Sequence, residues 1–423
     1  MEAYFVPRHV PTVHAVDPQV VAAQAAKHRD DELLEMLDFQ FFVNEEHCVD
    51  IMDGYWVPSL ASLSVGGWKH SFYPPITAET VPWGQERHCN ISPGHLAYPA
   101  VRTVTMASTD YDDALVDRAQ GVLYGQFIGD SLGSLVEWRS PHEIAEAYPD
   151  GVRELVDGGP YGLLAGQPTD DSEMALALAR SLVTLGSFDI GDIRGAYERW
   201  MRSEPFSVGQ TCKAALTGGY LSPDSQANGA LMRISPLAVF GAGRPAEADG
   251  AIAEAAMEDA RITHVNPLCM AVNATYTLTL ARIVRDGFGR DDAVDTLHTV
   301  ACEYGSPEVE ELVSRGLEAP PEDFVQQMGW VTIAFTNAVF ELAHGDSFEE
   351  SLVRTVGHGG DTDTNAAICG ALLGGLYGAE AIPQRWRDTI DNCKAYPGTL
   401  RPRPEEYWPA DAAKLARNLV TLQ

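Results

Sequence analysis

Apolar residues recur at helical spacing through most of the chain. Met174, Leu178 and Leu182, for example, lie four residues apart ahead of Gly186, and glycine is a typical residue at a helix C-terminus. The same pattern predicts helices over residues 114–125, 170–185, 190–201, 246–264, 267–284, 290–304, 324–344, 348–355, 365–376 and 410–422. Alternation of apolar and polar residues, which would indicate strands, is scarce. The pattern therefore predicts an all-α fold over residues 111–423.

The first 110 residues have a different pattern. Asp17 and Pro18 are an N-cap and N1 pair that predicts a helix continuing to Leu37. Aromatic residues then lie among prolines and glycines without regular spacing, and seven of the twelve histidines are scattered through the same region. This irregular spacing argues against a metal cluster there. We expect residues 1–110 to form an irregular, aromatic-rich extension that covers the bundle or binds a partner.

The charge of the chain restricts its possible partners. With 60 acidic and 29 basic residues, the formal net charge is −31, which opposes binding to the phosphates of nucleic acid. Such a charge could attract a basic protein or concentrate divalent cations, or it could serve only to keep the protein soluble. We expect no nucleic-acid partner.

Other features predict a protein of the reducing cytoplasm. The seven cysteines are scattered and show no CxxC spacing, so neither a zinc site nor a disulfide framework is indicated. The N-terminus lacks the basic and apolar regions of a signal peptide. The longest near-apolar run, residues 366–379, is shorter than the roughly 20 residues of a membrane span, so we expect no membrane partner. Its Gly370, Gly374 and Gly378 predict close packing between helices.

A glycine-dense loop presents oxygen atoms before one of the predicted helices. Residues 357–364 read Gly-His-Gly-Gly-Asp-Thr-Asp-Thr. The carboxylates of Asp361 and Asp363 and the threonine hydroxyls suit Mg²⁺, Mn²⁺ or Ca²⁺ better than zinc or copper. Alternatively, Asp363 or Thr364 is only the N-cap of a helix that begins near Asn365. Taken alone, this loop leaves both interpretations open.

A second helix start has the same composition. Thr169, Asp170 and Asp171 lie at the start of the helix predicted over residues 170–185. One side-chain oxygen is enough to cap free amides of a helix, so a second carboxylate is available for another task. Two such helix starts could converge and supply four carboxylates to a two-cation cluster, an arrangement that clamps oxyanions and activates water.

A third motif, Gly129-Asp130-Ser131-Leu132-Gly133 followed by Glu137, completes the set. Together with residues 169–172 and 359–364, and in this order, it resembles the ADP-ribosylglycohydrolase family. The resemblance covers residues 115–390. Each motif alone is weak, but three in order are specific. The resemblance implies a compact all-α fold with a binuclear Mg²⁺ or Mn²⁺ centre at one end.

The resemblance also implies roles for individual residues. The ligands of the two cations would be Thr169, Asp170 and Asp171 from one helix start and Asp361, Asp363 and Thr364 from the other. Glu137 falls where some members place a mobile acidic ligand that engages the metal or the substrate ribose. Glu137, Asp170 and Asp361 are the candidate catalytic carboxylates. Asp130 resembles a structural acid behind the ligands, and a direct catalytic role is the less favoured alternative.

A substrate site is implied in the same way. Its predicted residues are Gly218, Gly219, Asn228, Gly229, Arg233, His264, Gly359 and Gly360. Arg233 could hold a phosphate bidentately or form a structural ion pair. His264 could lie near the substrate riboses or be a hydrogen-bonded interior histidine. Gly218 and Gly219 could wrap the diphosphate or simply end a helix, while Gly359 and Gly360 would let the substrate approach.

Two hypotheses about function follow. In the first, the protein uses two Mg²⁺ or Mn²⁺ ions to remove ADP-ribose from a modified protein side chain, with arginine favoured over serine. In the second, suggested by family members with an added N-terminal arm, it is an immunity protein. Its residues 1–110 would bind an ADP-ribosylating toxin, with or without hydrolase activity. The complete ligand set argues against a relative whose site is idle.

Overall fold

The computed structural model describes residues 112–422 and four short strands ahead of them. Strand β1 (Ala3–Tyr4) pairs antiparallel with β2 (Ala15–Val16), and β3 (Cys48–Ile51) pairs antiparallel with β4 (Tyr55–Pro58). The helix predicted from Asp17 to Leu37 lies outside the described residues, and so do the predictions for residues 1–110 as an extension.

Residues 112–422 form a body of α-helices, as the apolar pattern predicts. Along the chain these are α1 (Asp113–Gly133), α2 (Pro141–Ala147), α3 (Asp170–Leu185), α4 (Ile190–Arg202), α5 (Gln210–Gly218), α6 (Ser235–Ala242), α7 (Asp249–Arg261), α8 (Pro267–Asp286), α9 (Arg290–Tyr304), α10 (Pro307–Glu318), α11 (Val331–His344), α12 (Phe348–Gly357), α13 (Thr362–Tyr377), α14 (Gln384–Asn392) and α15 (Ala412–Thr421). This stretch contains isolated β-bridges but no extended strand. The all-α prediction is confirmed for it.

Helices α1 and α13 pack against each other at the centre of this body with almost no side chain between them. Small residues face each other along the contact: Gly121, Gly125 and Gly129 on α1, and Gly374, Gly370 and Ala366 on α13. A Cβ atom on Gly125 would overlap the carbonyl oxygen of Gly370, and a Cβ atom on Gly370 would overlap that of Gly125. We call this contact the glycine seam. The close packing predicted at Gly370 and Gly374 is confirmed.

The glycine seam brings two chain segments to one end of the bundle. Because α1 and α13 run antiparallel, the C-terminal end of α1 lies beside the N-terminal end of α13. The Thr362 hydroxyl donates a hydrogen bond to the Gly133 carbonyl at 2.7 Å, which ties these two ends together. Both helices are buried on nearly every face near this end, as is typical of a central helix. The loops that follow Gly133 and precede Thr362 therefore meet.

An internal ion pair fixes the C-terminal segment to α3. Arg403 donates to both oxygens of Glu173, at 2.7 and 2.8 Å, and the indole of Trp200 donates to the same carboxylate at 2.7 Å. All three side chains are buried. A buried carboxylate is costly unless its charge and lone pairs are satisfied, and here they are. The proline-rich segment before α15 is thereby held on the bundle.

Several helix ends differ from the predictions. Helix α1 continues to Gly133 instead of ending at Gly125, because its glycines pack in the seam. Helix α11 begins at Val331 instead of residue 324, since Gln327 has a φ of 58° and the Val331 amide bonds to the Gln226 carbonyl at 2.7 Å. A 3₁₀ turn precedes α7, which ends at Arg261. The predictions did not include α2, α5, α6, α10 and α14.

Two further properties concern the described part of the chain. None of its helices is both long enough and apolar enough to cross a bilayer. Its cysteines are free thiols: Cys212, Cys269, Cys302, Cys369 and Cys393. Cys302 is exposed and the other four are buried.

Candidate metal centre

The N-terminus of α3 is capped by a carboxylate from α1. Asp130 is fully buried and accepts hydrogen bonds from the amides of Thr169 and Ser172, each at 3.1 Å. Thr169 is the N-cap residue of α3 but makes no capping bond of its own. Asp130 therefore satisfies the amides that a local cap would otherwise satisfy, which frees the carboxylates of Asp170 and Asp171.

Asp170 and Asp171 are held in different ways. Asp170 accepts hydrogen bonds from the Ser207 hydroxyl at 2.6 Å and the Gly209 amide at 3.0 Å. One oxygen of Asp171 accepts from the Thr169 hydroxyl at 3.0 Å, whereas Oδ1 is buried and has no donor. Thr169 has a single hydroxyl proton, which it can give either to Asp171 or to the carboxylate behind it. Asp171 is thus a buried carboxylate with an oxygen free to bind a cation.

The start of α13 contributes a second pair of carboxylates. Asp361 accepts a hydrogen bond from the side-chain amide of Asn228 at 2.7 Å, and Asp363 Oδ1 accepts from the Thr364 amide at 3.0 Å. Asp361 is the N-cap residue, and its own side chain makes no capping bond. The interpretation of Asp363 or Thr364 as the mere cap of a helix near Asn365 is therefore wrong, because the helix begins at Thr362.

The two helix starts converge. Burial raises the pKa of Asp171 well above its usual value, and the charges of neighbouring carboxylates, Asp361 among them, raise it further. Hydrogen bonding from Thr364 offsets part of the rise at both Asp171 and Asp361. Carboxylates from α3 and α13 are therefore close enough to influence each other's protonation, as the two-helix hypothesis requires.

Glu137 joins the same cluster. One carboxylate oxygen from each of Glu137, Asp361 and Asp363 lies within 4.8 Å of the others, so a single cation could contact all three. Glu137 is buried, and its Oε2 has no hydrogen-bond donor. Burial and the charges of Asp361 and Asp170 raise the pKa of Glu137 to about 8. Such crowding of carboxylates is unfavourable unless protons or cations compensate it.

The side chains of this cluster fit divalent cations. All of them present oxygen atoms, from the carboxylates of Glu137 and four aspartates and from the hydroxyls of Thr169 and Thr364. Mg²⁺ and Mn²⁺ prefer such donors. The buried oxygens without donors, on Glu137 and Asp171, are atoms whose remaining partner a cation could be.

Part of the predicted substrate site borders this cluster. Asn228 contacts Asp361 directly, and Gly229 packs on His264, since a Cβ atom at Gly229 would lie 3.1 Å from Cε1 of the ring. His264 is fully buried, with Nδ1 paired to the Thr263 hydroxyl at 2.8 Å and Nε2 without a partner. Burial, with a nearby positive charge, lowers the pKa of His264 to about 3, so the ring is neutral.

Arg233 belongs to the protein interior. Its guanidinium is completely buried, donates to Asp259 at 2.9 Å and to Thr263 at 2.8 Å, and lies 4.4 Å from the ring centre of Tyr197. The structural ion pair, one of the two alternatives for this residue, is present. Nη1 also donates to the Gly229 carbonyl at 3.3 Å. Arg233 thus supports the backbone next to Asn228.

The predicted glycines lie in two different settings. Gly359 and Gly360 have φ values of 72° and 77°, and a Cβ atom on either would overlap backbone of another loop. Protein backbone is therefore what approaches these two residues. Gly219 ends α5 with a φ of 64°, and both it and Gly218 are exposed with open space around them. A helix-ending turn is thus present there, on the surface.

Comparison with known sequences decides the family. The sequence model of the ADP-ribosylglycohydrolases matches residues 111–422. The chain belongs to the ADP-ribosylglycohydrolase family. Its membership indicates an ADP-ribosylglycohydrolase activity, and the all-α fold described above agrees with it.

Relatives and a solved structure support the same family. The chain is 34% identical over 285 residues to the ADP-ribosyl-(dinitrogen reductase) glycohydrolase of Rhodospirillum rubrum, covering 65% of this chain and 90% of that protein. It is 26% identical over 340 residues to the ADP-ribosylarginine hydrolase Tri1 of Pseudomonas putida, covering 75% and 81%. A solved ADP-ribosylglycohydrolase-related protein complex has a TM-score of 0.59 and 28% identity, covering 73% of this chain and 99% of that chain.

Three residues of this ADP-ribosylglycohydrolase border the cluster without having been predicted. Ser207 bonds to Asp170, Tyr161 pairs with Ser207 at 3.2 Å, and Trp138 directly follows Glu137. Ser207 and Tyr161 lie in loops whose approach to α3 depends on the tertiary fold. Trp138 could have been proposed as a site residue from the sequence, because an aromatic residue next to a candidate catalytic acid is a candidate for substrate contact.

Proposed function

We propose that this ADP-ribosylglycohydrolase is a metal-dependent enzyme that removes ADP-ribose from arginine side chains of proteins. The observation that carries the proposal is the cluster of Glu137 with Asp361 and Asp363 from the start of α13, in a chain of this family. Arginine is favoured because a relative whose alignment covers 75% of this chain is named an ADP-ribosylarginine hydrolase.

The predicted ligands keep their roles in this proposal. Two Mg²⁺ or Mn²⁺ ions would be held by Thr169, Asp170, Asp171, Asp361, Asp363 and Thr364. Such ions neutralise clustered carboxylates, orient ribose hydroxyls and lower the pKa of water. Glu137, which shares the cluster, is not among these ligands in the proposal and takes part in proton transfer instead.

Glu137 is the base of the proposed reaction. Its Oε2 is buried and has no donor among the described residues, so this oxygen is available to accept a proton. As the oxygen of a water molecule bonds to the anomeric carbon, the bond from that carbon to the guanidino nitrogen breaks. The proton that the water loses passes to Glu137 and is then returned to the departing nitrogen.

Neighbouring residues keep the carboxylates in place. Asn228 orients Asp361, while Ser207 and the Gly209 amide orient Asp170. Partners of this kind fix the direction in which a ligand oxygen points. We place the substrate riboses beside Asn228 and the neutral His264, and the diphosphate beside the surface glycines at 218–219.

The substrate is tested with two model peptides, one carrying ADP-ribosyl-arginine and the other ADP-ribosyl-serine. Release of ADP-ribose is measured with Mg²⁺, with Mn²⁺, and after removal of metal with EDTA. We expect release from the arginine peptide to be at least about tenfold faster, because a site built for a planar cation leaves polar groups unpaired with serine. Faster release from serine would contradict the arginine preference, and full turnover after chelation would contradict the metal dependence.

The clustered carboxylates predict an unusual dependence of stability on pH. Their pKa values are raised in the folded protein, so between about pH 4 and pH 8 the folded state holds more protons than the unfolded state. The free energy of unfolding of the metal-free protein should therefore fall as the pH rises through this window. We expect the melting temperature to be on the order of 5 °C lower at pH 8.5 than at pH 5.5.

Added Mn²⁺ should act in the opposite direction, because it binds the ionised carboxylates. The rise in melting temperature that it causes should be larger at pH 8.5 than at pH 5.5. Glu137→Gln is the matched control. It removes one titrating group, so it should reduce the fall in melting temperature between pH 5.5 and pH 8.5 in the metal-free protein. A melting temperature that rises with pH in the metal-free protein, or a Mn²⁺ effect that is larger at low pH, would contradict this prediction.

A further inference from the structure

Trp138 has an unusual exposure and an unusual backbone conformation. The residue is 54% exposed, although tryptophan is usually buried. Its φ of 67° lies in the left-handed region, which is costly for a bulky residue and persists only where the surroundings impose it. The surroundings are those of the metal centre: the Trp138 amide donates to the Gly360 carbonyl at 2.8 Å, and Glu137 precedes it in the chain.

Trp138 is the outer member of a row of three aromatic rings. Its ring meets Tyr161 edge-on with 5.5 Å between ring centres, and Tyr161 meets Phe206 at 5.4 Å. The Tyr161 hydroxyl pairs with the Ser207 hydroxyl at 3.2 Å, and Ser207 donates to Asp170 at 2.6 Å. We call Trp138, Tyr161 and Phe206 the aromatic wall. Its inner part is connected by hydrogen bonds to a carboxylate of the cluster.

The wall also lies next to the candidate base. Trp138 directly follows Glu137 in the chain, and Ser207, which pairs with the Tyr161 hydroxyl, donates to Asp170 at 2.6 Å. Burial raises the pKa of Tyr161, and the charges of Glu137, Asp363 and Asp170 raise it further, in keeping with this position. Ring faces beside a group of negative charges form an environment that attracts a planar cation.

We propose that the aromatic wall holds the guanidinium-bearing side chain of the ADP-ribosylated arginine, with Trp138 as the residue that contacts the cation. The inference rests on the proposed function and adds to it the part of the site that selects the acceptor. Arginine suits this place because its guanidinium is planar, always charged and stacks on aromatic faces. Serine offers neither charge nor plane, so the wall discriminates between the two acceptors.

The kinetic test compares three variants of Trp138. Trp138→Ala removes the ring, Trp138→Gly removes it while suiting the left-handed backbone, and Trp138→Phe keeps an aromatic face. We expect the first two to lower kcat/KM for ADP-ribosyl-arginine about tenfold, mainly through KM, and the third to retain most of it. Affinity for ADP-ribose, which lacks the guanidinium, should change less than about twofold in all three. Leu185→Ala, an exposed apolar residue at the far end of α3, is the control.

Two outcomes of this comparison would overturn the inference. If the ADP-ribose affinity falls as much as kcat/KM does, Trp138 contacts the nucleotide and not the acceptor. If kcat/KM is unchanged in both Trp138→Ala and Trp138→Gly, the ring contacts neither part of the substrate.

A second measurement tests the inference by binding alone and does not require the enzyme to hydrolyse a substrate. The protein is labelled with 5-fluorotryptophan, and the fluorine resonance of Trp138 is identified among those of its eight tryptophans by its loss in Trp138→Phe. Arginine should shift this resonance, and citrulline, its uncharged analogue, should not. Equal shifts, or none with arginine, would overturn the inference even if the protein hydrolyses ADP-ribosyl-arginine. Absence of hydrolysis together with an arginine-specific shift would instead overturn the proposed function alone.

Discussion

Asp361→Asn is expected to lower kcat/KM for metal-dependent release of ADP-ribose by more than about 100-fold. Asparagine preserves the size of the side chain but removes its charge. One carboxylate oxygen of Asp361 lies within 4.8 Å of an oxygen of Glu137 and of Asp363, so the substitution removes one charge from a group that could hold a cation. The new amide would also face the Asn228 amide, which donates to Asp361 at 2.7 Å. Activity is measured as initial rates over a range of Mn²⁺ concentrations, and Mn²⁺ affinity by calorimetry.

The fold of this variant should survive. Burial and the charge of Asp170 raise the pKa of Asp361, so an uncharged group at this position relieves repulsion among the carboxylates of the metal-free protein, which offsets the altered contact with Asn228. We expect its metal-free melting temperature to equal or exceed that of the wild type. Asp150→Asn, at an exposed position away from the cluster, is the matched control and should leave rates and Mn²⁺ affinity unchanged. Retention of half or more of the wild-type kcat/KM by Asp361→Asn would refute the assignment.

Gly125→Ala is expected to reduce the free energy of unfolding by about 3 kcal/mol or more. In an ordinary helix interior, replacing glycine by alanine stabilises by about 0.5–1 kcal/mol. At Gly125 the added methyl group would overlap the Gly370 carbonyl, and backbone cannot move aside as a flexible side chain can. The two helices must separate, and the apolar contacts along the glycine seam weaken together.

The control for this prediction is Gly250→Ala. Gly250 is also helical, near the start of α7, but it is exposed, and the nearest atom to an added Cβ is the Tyr304 hydroxyl at 3.8 Å. This variant should be as stable as the wild type or slightly more stable. Urea unfolding followed by circular dichroism measures both. Equal stabilities for the two alanine variants would show that the seam is not as tightly packed as described.

The helices and the candidate ligands could be predicted from the sequence because both depend on local information. Apolar periodicity indicates a helix wherever it occurs, and Asp170 or Asp363 at a helix start is visible in the chain itself. The resemblance of three short motifs to one family then indicated that the two helix starts meet. In the structure, burial and the charge of Asp361 both act on Asp171, so these segments do lie together.

What could not be predicted depends on contacts between distant segments. Asp130 was expected to be a structural acid, but nothing local indicated that it would cap the helix that begins at Asp170. Ser207 reaches Asp170 only because the loop between α4 and α5 folds back over α3. For Arg233, the sequence allowed a phosphate ligand or an ion pair equally, and the choice needed the position of Asp259.

The immunity hypothesis stays a prediction, because it depends on residues 1–110. Deleting residues 1–105 should leave hydrolase activity intact and abolish binding of a toxin partner. Loss of activity with the fold preserved would instead indicate that these residues contribute to the catalytic site.

The glycine seam has a mechanical consequence for the whole enzyme. A helix contact made by side chains can change its spacing when a rotamer changes, but backbone against backbone has no such freedom. The segment that carries Glu137 follows α1, and the segment that carries Asp361 precedes α13. Because the contact between these two helices cannot be compressed, we expect substitutions in the outer helices to have little effect on the distance between the two segments. Phe206, which lies outside the seam in the loop between α4 and α5, can change with the acceptor without altering this separation. A hydrolase built in this way can change the side chain it accepts while the cluster of carboxylates keeps its dimensions.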